Sequence, residues 1–508
     1  MRIIYSTGGM RDWVSVAEIF KLDKGWTPCF WLLSDGMDYI FDIFPKISYA
    51  WDFELNRGVN TSAGVNVNKI TLDAQLIEKF SHHEHKVFAL MNRMDAEGSF
   101  CYEDRRVLYY NLLEYWVNIF SKEKPEAVIF NISPHSISEY ILYMVSLFYD
   151  IKIIMFQTTS VRNLIFSKKG FYSDIGVNNI KYGIHSCSVE SDSRVDIKVI
   201  KDYLTDIRGL EDKTIPWFMK KPSSNQNYKK IIIKIKVILI GSYNTCINKD
   251  RKSNAGFITK KSSILLPYKD TRTNILKEKY LKLRSLYLNH DLKKQYIKST
   301  KTSVDLDGQY IYVPLHYQPE RTTLPEGGYY YDQMLMIKVL SSIVPDNCTL
   351  YVKENRTQFE HVTRATQHRH KRFYQELQSM SNVITLPLET STIRLIDNSL
   401  AVATVTGTAG WEAVCRGKPV LAFGEPWYLG CSGVFYGKGI GYYKKSLIKI
   451  CDGIKIQEHD VNKFLLELVK VGVRAYTTKS YSNGSEVSFD ENVNALHSKI
   501  ESILINKN

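Results

Sequence analysis

The stretch Thr404-Val-Thr-Gly-Thr-Ala-Gly-Trp-Glu-Ala-Val-Cys-Arg-Gly-Lys-Pro-Val-Leu-Ala-Phe423 decides the fold. An apolar run ends at Val405, the small residues Thr406, Gly407 and Thr408 make a turn, and helical spacing opens near Gly410. Gly417-Lys418-Pro419 stops that helix and starts the next strand, Pro419–Phe423. Strand, tight turn and helix in this order form the repeating unit of a parallel α/β sheet. In such a unit the free N–H groups and the positive end of the helix face whatever occupies the turn, which favours phosphate. Thr406 and Thr408 add hydroxyl donors, and Glu412, expected on the first helical turn, can accept both hydroxyls of a ribose. A threonine N-cap and a glutamate against the helix dipole would use the same letters for stability alone. The register of strand, turn, Glu412 and Gly-Lys-Pro-Val favours the binding reading.

The same alternation extends outward. Strands at Tyr310–Leu315, Thr349–Lys353, Asn382–Leu386 and Leu400–Val405 are separated by helices at Gln333–Ile343, Phe359–Ser379 and Gly410–Cys415. Near the N-terminus, strand Arg2–Ser6, the Gly8-Gly9 turn, a helix carrying Trp13, Val16, Ala17 and Phe20, and strand Pro28–Leu33 repeat the scheme. Strand Ala127–Asn131, a helix over Ile137–Phe148 and strand Ile151–Phe156 continue it. Between the halves the chain is lysine-rich and loses the alternation, as in Tyr228-Lys-Lys-Ile-Ile-Ile-Lys-Ile-Lys-Val-Ile-Leu-Ile240. The expected fold class is α/β of GT-B architecture: two Rossmann-like domains facing a cleft, with a helical basic insertion between them. The expected boundaries are 1–200 for an N-terminal, acceptor-side domain, 201–305 for the insertion, 306–480 for a C-terminal nucleotide domain and 481–508 for a C-terminal helix.

Ligands of open α/β sheets gather at the carboxyl ends of the strands. Val313-Pro-Leu-His-Tyr-Gln-Pro-Glu-Arg321 puts His316, Gln318, Glu320 and Arg321 there, and Tyr351-Val-Lys-Glu-Asn-Arg356 adds Lys353 and Arg356. With Thr406, Gly407, Thr408, Gly410 and Glu412 they make up a candidate donor site. The cations Lys353 and Arg356 are suited to neutralise phosphate. Across the cleft, Asp12, His135 and Glu139 are candidates for an acceptor side, His135 as the group that orients or deprotonates a hydroxyl. No D-x-D pair ends a strand, so no metal cofactor is expected, and fixed cations with the helix dipole take the place of a divalent ion.

The whole composition agrees. The 508 residues exceed one core, and 44% hydrophobic with 12% aromatic content belongs to a folded protein. A formal charge of +14 favours an anionic partner: a nucleotide-sugar, an acidic lipid surface or a nucleic acid. Nucleic acid is disfavoured, because the basic residues match no RNA- or DNA-binding module. The eight cysteines are scattered without C-x-x-C spacing, as reduced thiols of a cytoplasmic protein. No signal peptide is expected from the opening residues, and no run reaches the roughly 18 apolar residues of a bilayer span. A soluble or peripheral protein is expected, with the lysines around 228–240 as a candidate contact for an anionic inner membrane.

Residues 310–430 resemble the bacterial capsule polysaccharide synthesis family, which includes β-Kdo transferases using CMP-Kdo. The resemblance rests on Gln318-Pro319, the Asp332-Gln333 helix start, the Val-Lys-Glu strand end and Thr406-Gly-Thr-Ala-Gly-Trp-Glu412. It is weaker in Ser133-Pro-His-Ser-Ile-Ser-Glu-Tyr140 and in the opening strand and turn, and it is not traceable in the basic middle. It implies a nucleotide-sugar-dependent glycosyltransferase acting on a lipid-linked or growing glycan. His316 and Arg321 would meet a sugar carboxylate, and Glu320 would stabilise or attack a cationic transition state. Members usually carry His-Pro after Val-Lys-Glu, where this chain has Asn355-Arg356. Arginine can assume the phosphate contact with a permanent charge; a donor other than a CMP-sugar is the other reading. The fold also serves sugar-nucleotide epimerases, CDP-alditol polymerases and non-catalytic assembly subunits.

Overall fold

A computed structural model describes residues 1–8, 10–34, 36–56, 70–95, 101–171, 203–209, 275–301, 304–359, 369–483 and 485–505. The basic stretch 228–240, Gly9 and most of the expected insertion lie outside the described residues. Two sheets organise the rest. The first runs β3(Ser48–Trp51), β2(Thr27–Leu33), β1(Arg2–Ser6), β4(Ala127–Phe130), β5(Lys152–Thr158), β6(Leu164–Lys168), β13(Val473–Arg474). The second runs β9(Val383–Leu386), β8(Thr349–Lys353), β7(Tyr310–Pro314), β10(Ala401–Thr404), β11(Val420–Ala422), β12(Val434–Tyr436). Both have the 3-2-1-4-5 order of a doubly wound nucleotide-binding sheet, switching direction between their first and fourth strands. The protein is α/β with two Rossmann-like units, the GT-B arrangement.

The strands explain this arrangement through their alternation, because successive side chains point to opposite faces and both faces are covered. In the first sheet Ile4, Phe30, Leu32, Val128, Phe130 and Met155 meet the helices Ala74–Met94, Tyr102–Glu123 and Ile137–Phe148. Ile3, Tyr5, Trp31, Ile129, Ile154 and Phe156 meet the helices Arg11–Lys24 and Phe489–Ile505 on the other face. The first of these helices buries Trp13, Val16, Ala17 and Phe20 and stops at Gly25, whose φ of 64° lets its N–H reach the Phe20 carbonyl.

The chain ends on its own beginning. β13 pairs antiparallel with β6, so the C-terminal segment returns to the first sheet before residue 480, the expected limit of the second unit. Asn492 clasps the two ends: its Nδ2 donates to Asp12 Oδ1 at 2.8 Å and its Oδ1 accepts the Tyr476 amide at 2.8 Å. Asp12 is therefore committed to this clasp and not to the acceptor side of the cleft. Among the described residues the two units touch in several places, including the hydrophobic cluster that brings Val161, Leu164 and Phe166 together with Leu395, Trp411 and Leu465. Lys168 of β6 and Glu425 after β11 pair at 3.5 Å, both buried. His85 stacks on Tyr329 with centroids 4.3 Å apart, and Arg93 donates to the Leu324 carbonyl at 3.4 Å.

Candidate functional site

The turn after β10 is built from inside. Gly407 is the N-cap of the helix Thr408–Cys415, which opens two residues earlier than its spacing suggested. Glu412 therefore sits on the second turn. A Cβ on Gly407 would lie 2.8 Å from Thr404 Oγ1 and 3.2 Å from the His316 ring, and one on Gly410 would meet Tyr428 Oη at 2.2 Å. Only glycine fits at either position, which accounts for the small-residue run.

His316 is the post under this turn. Its Nε2 accepts the Thr406 amide at 3.2 Å and therefore carries no proton, so the Thr404 hydroxyl, 3.0 Å away, donates to it. Thr404 Oγ1 in turn accepts the Gly407 amide at 3.1 Å. Burial, with the Arg369 guanidinium nearby, pushes His316 down to about 3. It is a neutral acceptor at physiological pH and brings no positive charge to a sugar carboxylate. Thr406 is likewise turned inward, its hydroxyl donating to the Thr322 carbonyl at 2.6 Å. The exposed Thr408 hydroxyl and the Thr408 and Ala409 amides, which have no acceptor among the described residues, remain open to a ligand.

Glu412 is uncommitted. Its carboxylate makes no hydrogen bond among the described residues, yet burial pushes its pKa up to about 7 against the pull of Arg416 and Lys353. Lys353 ends β8 and donates to the Thr390 carbonyl at 2.6 Å and to Thr392 Oγ1 at 2.8 Å, which fixes the ammonium whose charge, after that of Arg416, acts on Glu412. Arg356 is exposed at the start of a short 3-10 turn. Asn355 opens that turn by accepting the Thr357 amide at 2.9 Å and its hydroxyl at 2.8 Å.

Gln318 and Arg321 form the floor rather than open ligands. Gln318 Oε1 takes Arg369 Nη1 at 2.5 Å and its Nε2 donates to the Tyr331 carbonyl. Arg321 is neutralised by Glu326 at 2.6 Å. Glu320 is mostly buried, and its carboxyl is raised chiefly by burial and also by Glu326, while Thr322, Arg321 and Arg93 of the facing unit pull it down. The expected cation for a sugar carboxylate at Arg321 is thus already paired.

Arg369 is the residue that spacing did not reveal. Completely buried, it forks onto both oxygens of Glu354 at 2.9 and 3.1 Å, and it also donates to the His316 carbonyl at 3.0 Å. Tyr374 Oη adds a bond to Glu354 at 2.8 Å. A lone arginine in a polar run carries no periodic signal; only the Val-Lys-Glu strand end hinted at a partner.

On the opposite sheet edge, His135 and Glu139 come together with a second residue that sequence reasoning missed, Asp52. Ser136 Oγ donates to Asp52 Oδ1 at 2.8 Å, and the amides of His135 and Ser136 both donate to Glu139 Oε2 at 3.2 Å. His135 Nδ1 lies 3.5 Å from the same oxygen. Burial, then the neighbouring Glu139 charge, pushes the Asp52 carboxyl upward, and burial raises Glu139 as well. Two neighbouring carboxyls whose protons are both held by their surroundings do not readily ionise together. No group of three or more His, Cys, Asp or Glu among the described residues could hold a metal ion.

Residues 265–439, which contain the turn, His316, Lys353, Arg369 and Glu412, match the family model described as capsule polysaccharide biosynthesis protein. The match covers the second sheet from β7 to β12. Similar solved structures include KpsC β-Kdo 2,7 transferase from Thermosulfurimonas dismutans, at 12% identity over 76% of this chain and 88% of that one, TM-score 0.28. The UDP-GlcNAc 2-epimerase of Methanocaldococcus jannaschii is similar at 12% identity over 91% of this chain and 99% of that one, TM-score 0.22. A glycosyltransferase of Rickettsia africae is similar at 10% identity over 100% and 99%, TM-score 0.23. No curated protein matches the chain.

Within the capsule-synthesis segment the Arg369–Glu354 pair should behave as a buried ion pair whose halves cannot be separated. Arg369→Met leaves Glu354 buried and uncompensated and should cost about 3–5 kcal/mol of stability. Adding Glu354→Gln to it should recover part of that loss. Urea unfolding of the two variants measures both, and a single variant as stable as the parent would remove the pair from its supporting role.

Proposed function

We propose that this chain is a nucleotide-sugar-dependent glycosyltransferase of bacterial capsule polysaccharide synthesis, working at the cytoplasmic side on a lipid-linked or growing glycan. The observation that carries the reading is Glu412: a carboxylate without a hydrogen bond among the described residues, drawn on by the charges of Arg416 and Lys353 and four residues into a helix whose first amides are open. Ribose hydroxyls donating to Glu412, with phosphate at the Thr408 and Ala409 amides, would satisfy both groups. Arg356 is the cation free to approach the phosphate from the rim.

On the acceptor side the Asp52–Glu139 pair, with His135 beside it, is suited to take a proton from an attacking hydroxyl. Glu320, facing Arg93 of the other unit, is the carboxylate offered to a cationic transition state or a covalent intermediate. The donor proposed is CMP-Kdo. A CMP-sugar presents one phosphate, within the capacity of two amides, a hydroxyl and one or two cations without a metal. The family segment supports this choice, and Asn355-Arg356 in place of His-Pro weighs on the other side.

Two measurements test the proposal. The purified protein is offered CMP-Kdo, CMP-sialic acid, UDP-hexoses and CDP-glycerol in excess chelator, and nucleotide release is followed. Release from CMP-Kdo alone is expected. In the same assay Asp52→Asn should bind donor normally while transferring at least about 100-fold more slowly, the usual scale for a lost acid–base group. Selective turnover of a UDP-sugar or CDP-glycerol would sink the donor, and activity restored only by Mg²⁺ would sink metal independence.

The second measurement is the pH dependence of donor affinity. Because the free protein holds a proton on Glu412 up to about pH 7, a ligand that needs the carboxylate must displace it. Affinity should therefore be level above neutral pH and fall about tenfold per unit below it. Glu412→Gln should flatten the profile, and Glu412→Ala should weaken binding by roughly 1–3 kcal/mol. A donor phosphodiester is the probe, since it does not titrate in this range. A pH-independent affinity in the parent protein would rule out Glu412 as the ribose ligand.

A further inference from the structure

The helix Ile440–Cys451 divides its faces sharply. Tyr443, Ser446, Leu447 and Ile450 are buried, and Tyr443 stacks on Phe423 with centroids 4.0 Å apart while its hydroxyl donates to the Ala422 carbonyl at 2.8 Å. This face is fully used in holding the helix to the second sheet. The outer face is not what a solvated helix presents. Ile440 is 51% exposed, Ile448 56% and Tyr442 39%, and Ile454 just beyond the helix is 38% exposed.

Lysines are interleaved with these apolar side chains. Residues 438–455 contain Lys438, Lys444, Lys445, Lys449 and Lys455 against Asp452 alone. Lys444, Lys445, Lys449 and Lys455 have no ion-pair partner among the described residues. Ile440, Lys444 and Ile448 follow one another at i+4, and Lys445 and Lys449 run along the adjacent row, so charge and apolar surface share one stripe. A protein partner would be expected to offer acids to the lysines and a pocket to the isoleucines in a fixed pattern. An anionic bilayer needs no such pattern: short apolar groups sink below the headgroups while ammonium groups stay level with the phosphates.

We propose that the outer face of the helix Ile440–Cys451, with Lys455 and Ile454 beyond it, docks on an anionic lipid bilayer. The helix would lie in the interface plane, since no helix among the described residues is long and apolar enough to cross a membrane. The position has a consequence for the cleft. β12 runs parallel to β11, and β11 to β10, so the helix begins at the same sheet edge as the Thr406–Thr408 turn. Docking through Ile440 and Tyr442 brings that edge to the membrane, within reach of an acceptor carried by a lipid. The surface stands apart from the donor assignment and holds for any donor.

The test is co-sedimentation of the full chain with vesicles of phosphatidylcholine alone or with about a third phosphatidylglycerol. The parent should bind the mixed vesicles, less so as salt rises, and should leave the neutral ones in solution. Each lysine near the surface accounts for roughly a fivefold change in partition. Lys444→Glu, Lys445→Glu and Lys449→Glu together should therefore reduce binding by more than about 100-fold. Ile440→Ser with Ile448→Ser should reduce it by about tenfold or more, each buried side chain being worth a severalfold factor. These side chains are exposed, so thermal unfolding midpoints of both variants should match the parent and show that the fold is intact. The basic sequence 228–240 is present in every variant, so a triple-lysine variant that still binds would put the contact elsewhere and overturn the proposal. Equal binding to neutral vesicles, or none to either, would overturn it as well.

Discussion

Arg369 and Glu354 hold the second unit's carboxyl edge in shape. One guanidinium satisfies a carboxylate, a backbone carbonyl and a side-chain amide belonging to two different strand ends. Strand-end loops are where backbone polar groups lack sheet partners, and a buried loop must find them elsewhere. Here the partners are supplied in pairs. Gln333 takes the His316 amide at 2.8 Å, and Gln358 takes the Gln318 amide at 2.8 Å and returns a bond to its carbonyl at 3.0 Å. With that backbone held, His316 is held, and with His316 the Thr406–Thr408 turn. The support of the turn is therefore a chain of buried hydrogen bonds that starts at the Arg369–Glu354 pair and runs through His316.

That construction separates two jobs that the sequence pattern runs together. Strand-end residues are expected to be ligands because strand ends face the cleft, but their polar atoms turn in different directions. His316, Gln318 and Arg321 face the edge and spend their polar atoms on protein. Glu412 and Thr408 face the same edge and do not. What distinguishes them is the identity of the nearest partner across the sheet, which depends on three-dimensional register. No spacing rule along one chain reports it. The element pattern was far more legible, because burial on both faces writes a continuous apolar run for each central strand and a period near 3.6 for each helix. Ile3–Tyr5, Ile311–Val313 and Ala401–Ala403 are such runs, and the Asp332 N-cap expected at a helix start accepts the Met334 amide at 3.1 Å.

The parts that escaped notice failed for physical reasons of their own. β3, β12 and β13 are edge strands of two to four residues, too short for a period to emerge. The pairing of β13 with β6 joins residues 473 and 165, a contact that only the folded topology brings about. Asp52 lies on a one-turn helix after β3, and its relation to Glu139 passes through Ser136, 84 positions along the chain. Glu139 lies in the first turn of the helix Ile137–Phe148 and completes a capping box with Ser136. The same carboxylate therefore carries a structural bond to the helix end and a share in the buried acid pair.

This double use bears on how an acid pair can be kept poised in a folded protein. Two carboxyls forced into one nest would normally be relieved by moving apart, and an exposed loop would allow it. Glu139 cannot retreat, because its Oε2 is fixed by the His135 and Ser136 amides at the start of the helix Ile137–Phe148. Asp52 cannot retreat either, since Asn56 donates to it at 2.8 Å while offering its own carbonyl oxygen to the Ser138 amide at 2.8 Å. Donors hold each carboxylate and favour its ionised form; burial and mutual repulsion favour the proton. With these terms opposed and the geometry locked, burial and the neighbouring Glu139 charge hold the Asp52 carboxyl well above its ordinary range, and burial raises Glu139 too. In the proposed acceptor-side role, the carboxyl of the pair that carries no proton would take one from an attacking hydroxyl without any rearrangement of the backbone.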